Sequence, residues 1–425
     1  MELFIFVITL FIFLALGVPV SIALGACAIV LMFSLDFFDP VMMAQQMVRG
    51  VNSFVLMAIP FFMMAGEIMS RGGLATRLVN ASYILVGRIK GGLGYTNMLS
   101  SVMFAGLSGS AVADVAMSGS LLYPMMIKNN YRPGRAMGAI CASAIIALII
   151  PPSIPMVILG TTVGLSITRL FMAGIVPGLI LGLALMIAWF FVVRHDGYTD
   201  TKKYTLREAA KILLETLPAL FMPVIIVGGI RFGIFTPTEA GAFAVVYALL
   251  VCKFVYRGLN MKIMWEVLTN SAKNTAIVMF IVATASVVGW LITIARVPEM
   301  AINLFLPLIG YPLLLLLTIN LFLFLIGMVM DLTPNLLIFA PMLFPVIREA
   351  GIEPHFFAVI MILNLGISLC TPPVGTCLFV GCGVSGVSFE KIVWGILPFL
   401  LTEIIVLIIF TLFPSIILVP LSVLM

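Results

Sequence analysis

Apolar stretches long enough to cross a membrane recur throughout this chain of 425 residues. A membrane-spanning helix needs roughly 20 consecutive, mostly apolar residues. Only 9% of the residues are charged, whereas a soluble globular domain carries about 25%. The sequence therefore predicts an all-α polytopic membrane protein in contact with the lipid bilayer. The net charge of +5 does not indicate nucleic acid as a partner, because the basic residues follow membrane topology.

An internal duplication divides the chain into two halves. Gly and Pro residues between 106 and 178 recur 221 positions later, as in the pairs Gly106 with Gly327 and Pro124 with Pro345. The further pairs are Pro133 with Pro354, Pro151-Pro152 with Pro372-Pro373, Gly160 with Gly381, Gly174 with Gly395 and Pro177 with Pro398. An ungapped match of this length indicates two copies of one structural unit.

The segment 194–211 joins the two copies and is rich in basic residues. Basic residues concentrate in cytoplasmic loops, so we place this linker in the cytoplasm, between a first repeat over 1–193 and a second over 212–425. The same path places Arg71 and the residues that follow segment 98–124 inside. It places Arg49, Arg231 and the residues that follow the equivalent segment 319–345 outside. The repeats are therefore expected to be inverted, which is typical of secondary transporters. A duplicated scaffold without transport is the alternative.

Each half contains two places where a helix is expected to break within the membrane. Segments 98–124 and 319–345 carry helix-breaking residues in their middle and predict re-entrant hairpins. Tandem prolines predict broken spanning helices at 151–155 and 371–376. Non-helical backbone at this depth is tolerated only where it is buried in protein or lines a cavity. Its carbonyls suit a hard cation such as Na⁺, and half-helix N-termini attract a carboxylate.

Asp114 and Asp331 lie within the predicted hairpins, whereas almost all other acidic residues lie in or beside loops. An intramembrane charge costs about 2.5–3.5 kcal/mol on insertion scales, and a bound cation would offset this cost. The alternative is that each carboxylate caps a neighbouring helix. The hydroxyl groups near the breaks belong to Ser108, Ser110, Ser153, Thr371 and Thr376. The sequence is compatible with two roles for these groups, contact with a ligand and hydrogen bonding to the local backbone.

Three motifs resemble those of the large membrane subunit of tripartite ATP-independent periplasmic (TRAP) transporters. They are Gly-Leu-Ser-Gly-Ser-Ala-Val-Ala-Asp at 106–114, Ile-Ile-Pro-Pro-Ser at 149–153 and Thr-Pro-Pro-Val-Gly-Thr at 371–376. The resemblance covers essentially the whole chain. It implies an elevator-type ion transporter fold in the bacterial inner membrane, coupling to two or more Na⁺ ions, and no enzymatic activity.

The resemblance also implies two protein partners. One is a small four-helix membrane subunit, which we expect as a separate chain because this chain starts directly at the large subunit. The other is a periplasmic substrate-binding protein. Substrates of the family are C4-dicarboxylates, sialic acid and related organic acids, and we expect a sialic-acid-type member.

Carried over motif by motif, the resemblance implies two Na⁺ sites and a substrate site. The first Na⁺ site would involve Ser108, Asp114 and carbonyl groups near Pro152. The second would involve Asp331, Thr333, Thr371, Gly375 and Thr376. The substrate would lie between the hairpin tips and touch Ser110, Ser153 and Asn364.

Segments 41–53 and 262–274 occupy equivalent places in the two halves and mix apolar with polar residues. This pattern is typical of helices that lie in the membrane interface. In a TRAP transporter such arms would brace the scaffold. Simple surface helices are the alternative.

Other functions fit the sequence less well. A Na⁺/carboxylate symporter that works without a binding protein is the main alternative. Gly106-Leu-Ser108-Gly109 matches the short Gly-x-Ser-Gly pattern of rhomboid-type intramembrane serine proteases, but a nucleophilic serine needs a base within reach. The two histidines, His195 and His355, are expected in loops on opposite sides of the membrane. The six cysteines lie in apolar surroundings, so we expect no transition-metal site.

Overall fold

The computed structural model describes residues 2–194 and 204–425, and every regular element in these ranges is a helix. The helices of the first half are α1 Glu2–Ala15, α2 Val20–Ser34, α3 Pro40–Val51, α4 Ala58–Arg71, α5 Leu74–Val86, α6 Gly92–Ser108, α7 Ala111–Lys128, α8 Pro133–Ser143, α9 Ile154–Val163 and α10 Ile167–Val193. Those of the second half are α11 Leu206–Arg231, α12 Pro237–Leu250, α13 Met261–Ile294, α14 Val297–Ile309, α15 Pro312–Gly327, α16 Leu332–Glu349, α17 Pro354–Ser368, α18 Thr376–Ser385, α19 Phe389–Leu412 and α20 Ser415–Leu424.

Short tighter or wider turns extend some of these helices. A 3₁₀ turn at Val55–Met57 leads into α4, another at Ala144–Leu148 continues α8, and a π turn at Val251–Val255 follows α12. Helix α11 begins at Leu206, so the end of the segment 194–211 is helical and not an extended linker. Lys202 and Lys203 of that segment, and His195, lie outside the described residues.

The predicted all-α polytopic fold is confirmed. Among the described residues, five helices are long and apolar enough to cross a membrane. They are Ile167–Val193, Leu206–Arg231, Pro237–Val255, Met261–Ile294 and Phe389–Leu412. A sixth span results if Pro40–Val51 and Val55–Arg71, which are bent by 63° relative to each other, are counted together. The other apolar helices have 10–17 residues, because Gly and Pro interrupt them.

The helices break where Gly, Ser and Pro cluster. Helices α6 and α7 are separated at residues 109–110, and their counterparts α15 and α16 at 328–331. The chain is also interrupted between the 3₁₀ turn after α8 and α9, at residues 149–153, and between α17 and α18, at residues 369–375. Each half therefore holds one helical hairpin and one broken helix.

The two segments expected as arms differ from each other. Residues 41–53 form the separate helix α3 with a bend before α4, whereas residues 262–274 belong to the first half of the continuous helix α13. Asp39 caps α3 by accepting hydrogen bonds from the Val41 and Met42 amides at 2.8 and 3.1 Å. The Asn-Ser pair before Val55 interrupts the first arm, and α13 has no such interruption. Residues 262–274 are therefore part of one long helix and do not form a separate arm.

The two halves interlock through reciprocal contacts. Helix α7 of the first hairpin packs on α18 of the second half, and α16 of the second hairpin packs on α9 of the first. Helix α8 runs closely along α19, where the backbone of Gly138 approaches that of Gly395 and Ile396. We call this assembly of α6–α10 and α15–α19 the core, and the helices α2, α3, α4, α12 and α13, which pack on one another, the scaffold.

We expect Gly395→Ala to destabilise the protein by about 1–3 kcal/mol, as overpacking does in a tight core. A methyl group at this position would overlap the backbone of Gly134 on α8, and backbone cannot move aside as a side chain can. Thermal unfolding of the purified protein in detergent measures the effect. Gly228→Ala is the matched control, because nothing lies within 4 Å of a Cβ atom there. Equal melting temperatures for the two variants would contradict this account of α8–α19 packing.

Candidate transport site

The two hairpin tips meet in one cavity of about 380 Å³, which we call the central cavity. Residues Ser108–Ala113 of the first tip and Asp331–Thr333 of the second tip line it. Leu148 and Ile154, which flank the break at 149–153, and Leu369, the first residue of the break at 369–375, also line the core side. The cavity thus lies where all four breaks come together.

The first hairpin tip lies directly against the first broken helix. The Ser108 hydroxyl accepts a hydrogen bond from the Ser110 amide at 3.3 Å, and Ser110 in turn caps α7 by accepting from the Ala113 amide. Gly109 between them has φ +58°, and a Cβ atom there would lie 3.0 Å from the Pro152 carbonyl oxygen. Only glycine fits both the left-handed backbone and this approach. Ser108 and the Pro152 carbonyl, both predicted ligands of the first Na⁺ site, are therefore brought close together.

Asp114 is buried in the first turn of α7 and is 1% exposed. Neither of its carboxylate oxygens has a hydrogen-bond partner among the described residues. It is not the capping residue, because Ser110 occupies that position. A buried carboxylate without a partner is strongly unfavourable, and a cation bound beside Ser108 would remove this cost. The residues present therefore fit the Na⁺ site that the sequence predicts here.

Asp331 connects the second hairpin tip with the second broken helix. It occupies the N-cap position of α16, yet its side chain makes no capping hydrogen bond. Instead the Thr376 hydroxyl donates to the Asp331 Oδ1 atom at 3.4 Å. The Val374 amide donates to the Met328 carbonyl at 3.2 Å, which holds the two breaks together. The Asp331 carboxylate at the cavity wall thus has the Thr376 hydroxyl beside it, and oxygen donors of this kind are those that a hard cation prefers.

Other predicted site residues lie behind the cavity wall. Ser153 is buried, donates to the Leu148 carbonyl at 2.6 Å and caps α9. The Thr371 hydroxyl donates to the Ile367 carbonyl at 2.9 Å. Asn364 is fully buried and its amide donates to the Asn320 carbonyl at 2.8 Å. Of the three residues assigned to the substrate, only Ser110 lines the cavity.

The scaffold supplies polar groups to the site that sequence analysis missed. Met63 and Glu67 of α4, and Ser271, Asn274 and their neighbours on α13, form the wall opposite the hairpin tips. The Ser271 hydroxyl is buried without a hydrogen-bond partner among the described residues. These helices are continuous, so a search for helix breaks does not find them. In the sequence, these positions can be recognised as polar residues spaced three and four positions apart in an otherwise apolar helix.

A second cavity of about 410 Å³ adjoins the central one, and we call it the inner cavity. It shares Glu67, Ser108 and Asn274 with the central cavity and reaches Asp114 and Arg71. The predicted topology puts Arg71 on the cytoplasmic side. In that predicted orientation, the inner cavity would lead from the hairpin tips toward the cytoplasm.

The sequence analysis also missed Glu403, an acidic residue inside the spanning helix α19. It is fully buried, and neither carboxylate oxygen has a hydrogen-bond partner among the described residues. A lone acidic residue within an apolar run was the available signal. Glu403 lines neither the central nor the inner cavity.

An all-helical membrane protein with paired hairpins and broken helices around a central cavity has the architecture that is typical of secondary transporters. The chain belongs to the family of the tripartite ATP-independent periplasmic transporter, DctM component, whose model matches residues 7–416. This confirms the resemblance to TRAP large membrane subunits. The relatives described next are named as permeases, which points to a transporter and not to an enzyme.

Three relatives of known name cover nearly the whole chain. The 2,3-diketo-L-gulonate TRAP transporter large permease protein YiaN of Escherichia coli is 47% identical over 96% of this chain and 96% of its own. The sialic acid TRAP transporter large permease protein SiaM of Vibrio cholerae is 38% identical over 94% and 93%. The C4-dicarboxylate TRAP transporter large permease protein DctM of Pseudomonas aeruginosa is 37% identical over 93% and 92%.

A solved structure shares the fold at low sequence identity. The crystal structure of the Alcanivorax borkumensis YdaH transporter, described as having an unusual topology, matches with a TM-score of 0.63 at 12% identity. The match covers 88% of this chain and 87% of that one. At this identity the match shows the fold alone, that of a polytopic helical membrane protein.

We expect Asp114→Asn and Asp331→Asn each to reduce Na⁺-driven uptake at least tenfold, because each removes the charge of a predicted cation ligand and keeps its shape. Uptake of labelled substrate into proteoliposomes measures this, and thermal unfolding shows whether the variants remain folded. Glu390→Gln is the matched control, since this carboxylate is exposed and lies outside the central and inner cavities. Uptake at the wild-type rate in either aspartate variant would remove that residue from the Na⁺ site.

Proposed function

We propose that this protein is the large membrane subunit of a Na⁺-coupled transporter in the bacterial inner membrane, which imports a small organic acid. The observation that carries the proposal is the central cavity, where two interrupted hairpins bring Asp331 and the Ser108–Ala113 tip together, with the unpartnered Asp114 close by. Membership of the TRAP family supports it. Carboxylates and broken backbone at membrane depth suit cations, and half-helix N-termini suit the anion.

Coupling to two or more Na⁺ ions supplies free energy for accumulating the acid inside the cell. Moving one elementary charge across 100 mV is worth about 2.3 kcal/mol. Two Na⁺ ions with one monovalent acid carry a net positive charge inward, so the membrane potential adds to the Na⁺ gradient. The two carboxylates Asp114 and Asp331 provide one negative ligand for each of two ions.

An elevator movement suits the division into core and scaffold. The central cavity lies between the hairpin tips of the core and the helices α4 and α13 of the scaffold. The core is held together by the reciprocal contacts α7–α18, α9–α16 and α8–α19, so it is suited to move as one body. Sliding along α4 and α13 would carry the cavity from one side of the membrane to the other.

Two further proteins complete the proposed transporter. A small four-helix membrane subunit would join the scaffold, and a periplasmic substrate-binding protein would deliver the acid. Family membership supports both, because the family is that of a tripartite periplasmic transporter.

The substrate is proposed to be a small organic acid with further polar groups. Of the three relatives reported above, the diketogulonate permease has the highest identity, followed by the sialic acid and C4-dicarboxylate permeases. Sugar acids are therefore the first candidate substrates, and sialic acid and C4-dicarboxylates are the next. The amide and hydroxyl groups of Asn274, Ser271 and Ser110 around the cavity can hydrogen-bond such a ligand.

We expect uptake into proteoliposomes to require an inward Na⁺ gradient, both membrane subunits and a binding protein loaded with substrate. Uptake is measured with labelled acid while each component is omitted in turn, and with K⁺ in place of Na⁺ as the ionic control. Full uptake without a Na⁺ gradient would refute the coupling. Full uptake of free acid without the binding protein would favour the alternative, a Na⁺/carboxylate symporter that works alone.

A further inference from the structure

A third cavity, of about 420 Å³, lies between scaffold and core, and we call it the outer cavity. Residues of α3, α9, α13 and α16 line it, together with the turn before α4. Among its lining residues are Arg49 and Ser53 from the scaffold and Thr161 and Thr162 from the core. None of its lining residues is shared with the central or the inner cavity. The function proposed above does not use this cavity.

The outer and inner cavities lie at opposite ends of the same scaffold helix. Asn270 and Asn274 of α13 line the inner cavity, whereas Ser286 and Gly289 of the same helix line the outer one. The 15 residues from Asn274 to Gly289 span about 22 Å at 1.5 Å per residue. This is a large part of the hydrocarbon thickness of about 30 Å. The predicted topology puts Arg49 on the periplasmic side.

The internal repeat relates the two cavities to each other. An offset of 221 to 223 residues pairs positions that line one cavity with positions that line the other. The pairs, written inner then outer, are Asn270 with Arg49, Asn274 with Ser53, Gly66 with Gly289 and Ala116 with Leu337. The outer cavity therefore occupies, on the periplasmic side, the position that the inner cavity occupies on the cytoplasmic side.

The charges of the two cavities differ, although their positions correspond. Arg71 of the inner cavity is paired with two carboxylates, those of Glu67 and Glu266. The outer cavity has no Asp or Glu among its lining residues, and Arg49 has no ion pair in the described part of the chain. The residue that corresponds to Arg49 in the other repeat is Asn270, which carries no charge. Positive charge is therefore available to an anion in the outer cavity and neutralised in the inner one.

We propose that the outer cavity is the vestibule in which the anionic substrate meets the transport core, and that Arg49 binds its carboxylate there. This inference rests on the proposed transport function. A guanidinium matches a carboxylate with two parallel hydrogen bonds, and a positively lined cleft raises the local concentration of anions. Movement of the core along α13 would bring the hairpin tips to the level of Ser286 and Gly289. After the return movement the acid would face the neutralised Arg71, which favours release.

The first test compares uptake by Arg49→Gln and Arg49→Lys in proteoliposomes with both membrane subunits and loaded binding protein outside. We expect Arg49→Gln to lower uptake about tenfold at subsaturating substrate, equivalent to about 1.4 kcal/mol, with Arg49→Lys in between. Arg231→Gln is the matched control, because Arg231 is another arginine on the predicted outer side and does not line the outer cavity. Wild-type uptake by Arg49→Gln, or equal losses in Arg49→Gln and Arg231→Gln, would overturn the proposal.

The second test separates a substrate site from a contact with the binding protein. An impermeant thiol reagent is added outside to Ser53→Cys in a Cys382→Ser background, which places the thiol in the outer cavity and keeps Arg49. The five other native cysteines are buried. We expect loaded binding protein to slow labelling and unloaded binding protein to leave it unchanged. Equal protection by both forms would assign position 53 to the protein interface and overturn the proposal.

The two proposals fail independently in these experiments. If the wild-type protein took up substrate equally well with and without a Na⁺ gradient, the Na⁺ coupling in the proposed function would be refuted. Labelling at position 53 does not depend on that result, because it reports only whether substrate reaches the outer cavity.

Discussion

The structure depends on the requirement that backbone polar groups inside a membrane find partners within the protein. The four helix breaks are possible only because each lies against another. The Gly109 turn packs on the Pro152 carbonyl, and the Val374 amide bonds to the Met328 carbonyl. Where a carbonyl or carboxylate oxygen near a break has no partner within the protein, a hard cation can bind to it. The same constraint that brings the breaks together therefore also produces the candidate ion sites.

Reciprocal packing explains why two copies of one unit form a single core. Each hairpin contacts the broken helix of the other half, α7 with α18 and α16 with α9. Each hairpin tip also lies against the break of its own half, so contacts within and between the two copies together build the core. This arrangement joins the two candidate Na⁺ sites mechanically, and it leaves the scaffold helices α4 and α13 as a continuous surface on which the core can move.

The near-symmetry of the two halves makes their differences informative. The first half has a bent arm, α3, and the second has the straight helix α13. Position 49 is an arginine where its counterpart at 270 is an asparagine. An inverted repeat makes the two sides of the membrane alike in shape, so a difference in anion affinity between the two sides must come from the residues that break the symmetry. Such residues are Arg49, which has no ion pair among the residues that the structure describes, and the doubly paired Arg71.

The sequence by itself determined the membrane class, the duplication and the positions of the four breaks, because charge content, repeated Gly and Pro, and tandem prolines act locally. It also pointed to Asp114 and Asp331, since a carboxylate in an apolar segment is visible without coordinates. Tertiary structure alone decided which residues share a cavity. It turned Asn364 and Ser153 toward buried backbone partners and brought Glu67, Ser271 and Asn274 of the scaffold to the hairpin tips. Such contacts join residues far apart in the chain, and only the packing of whole helices settles them.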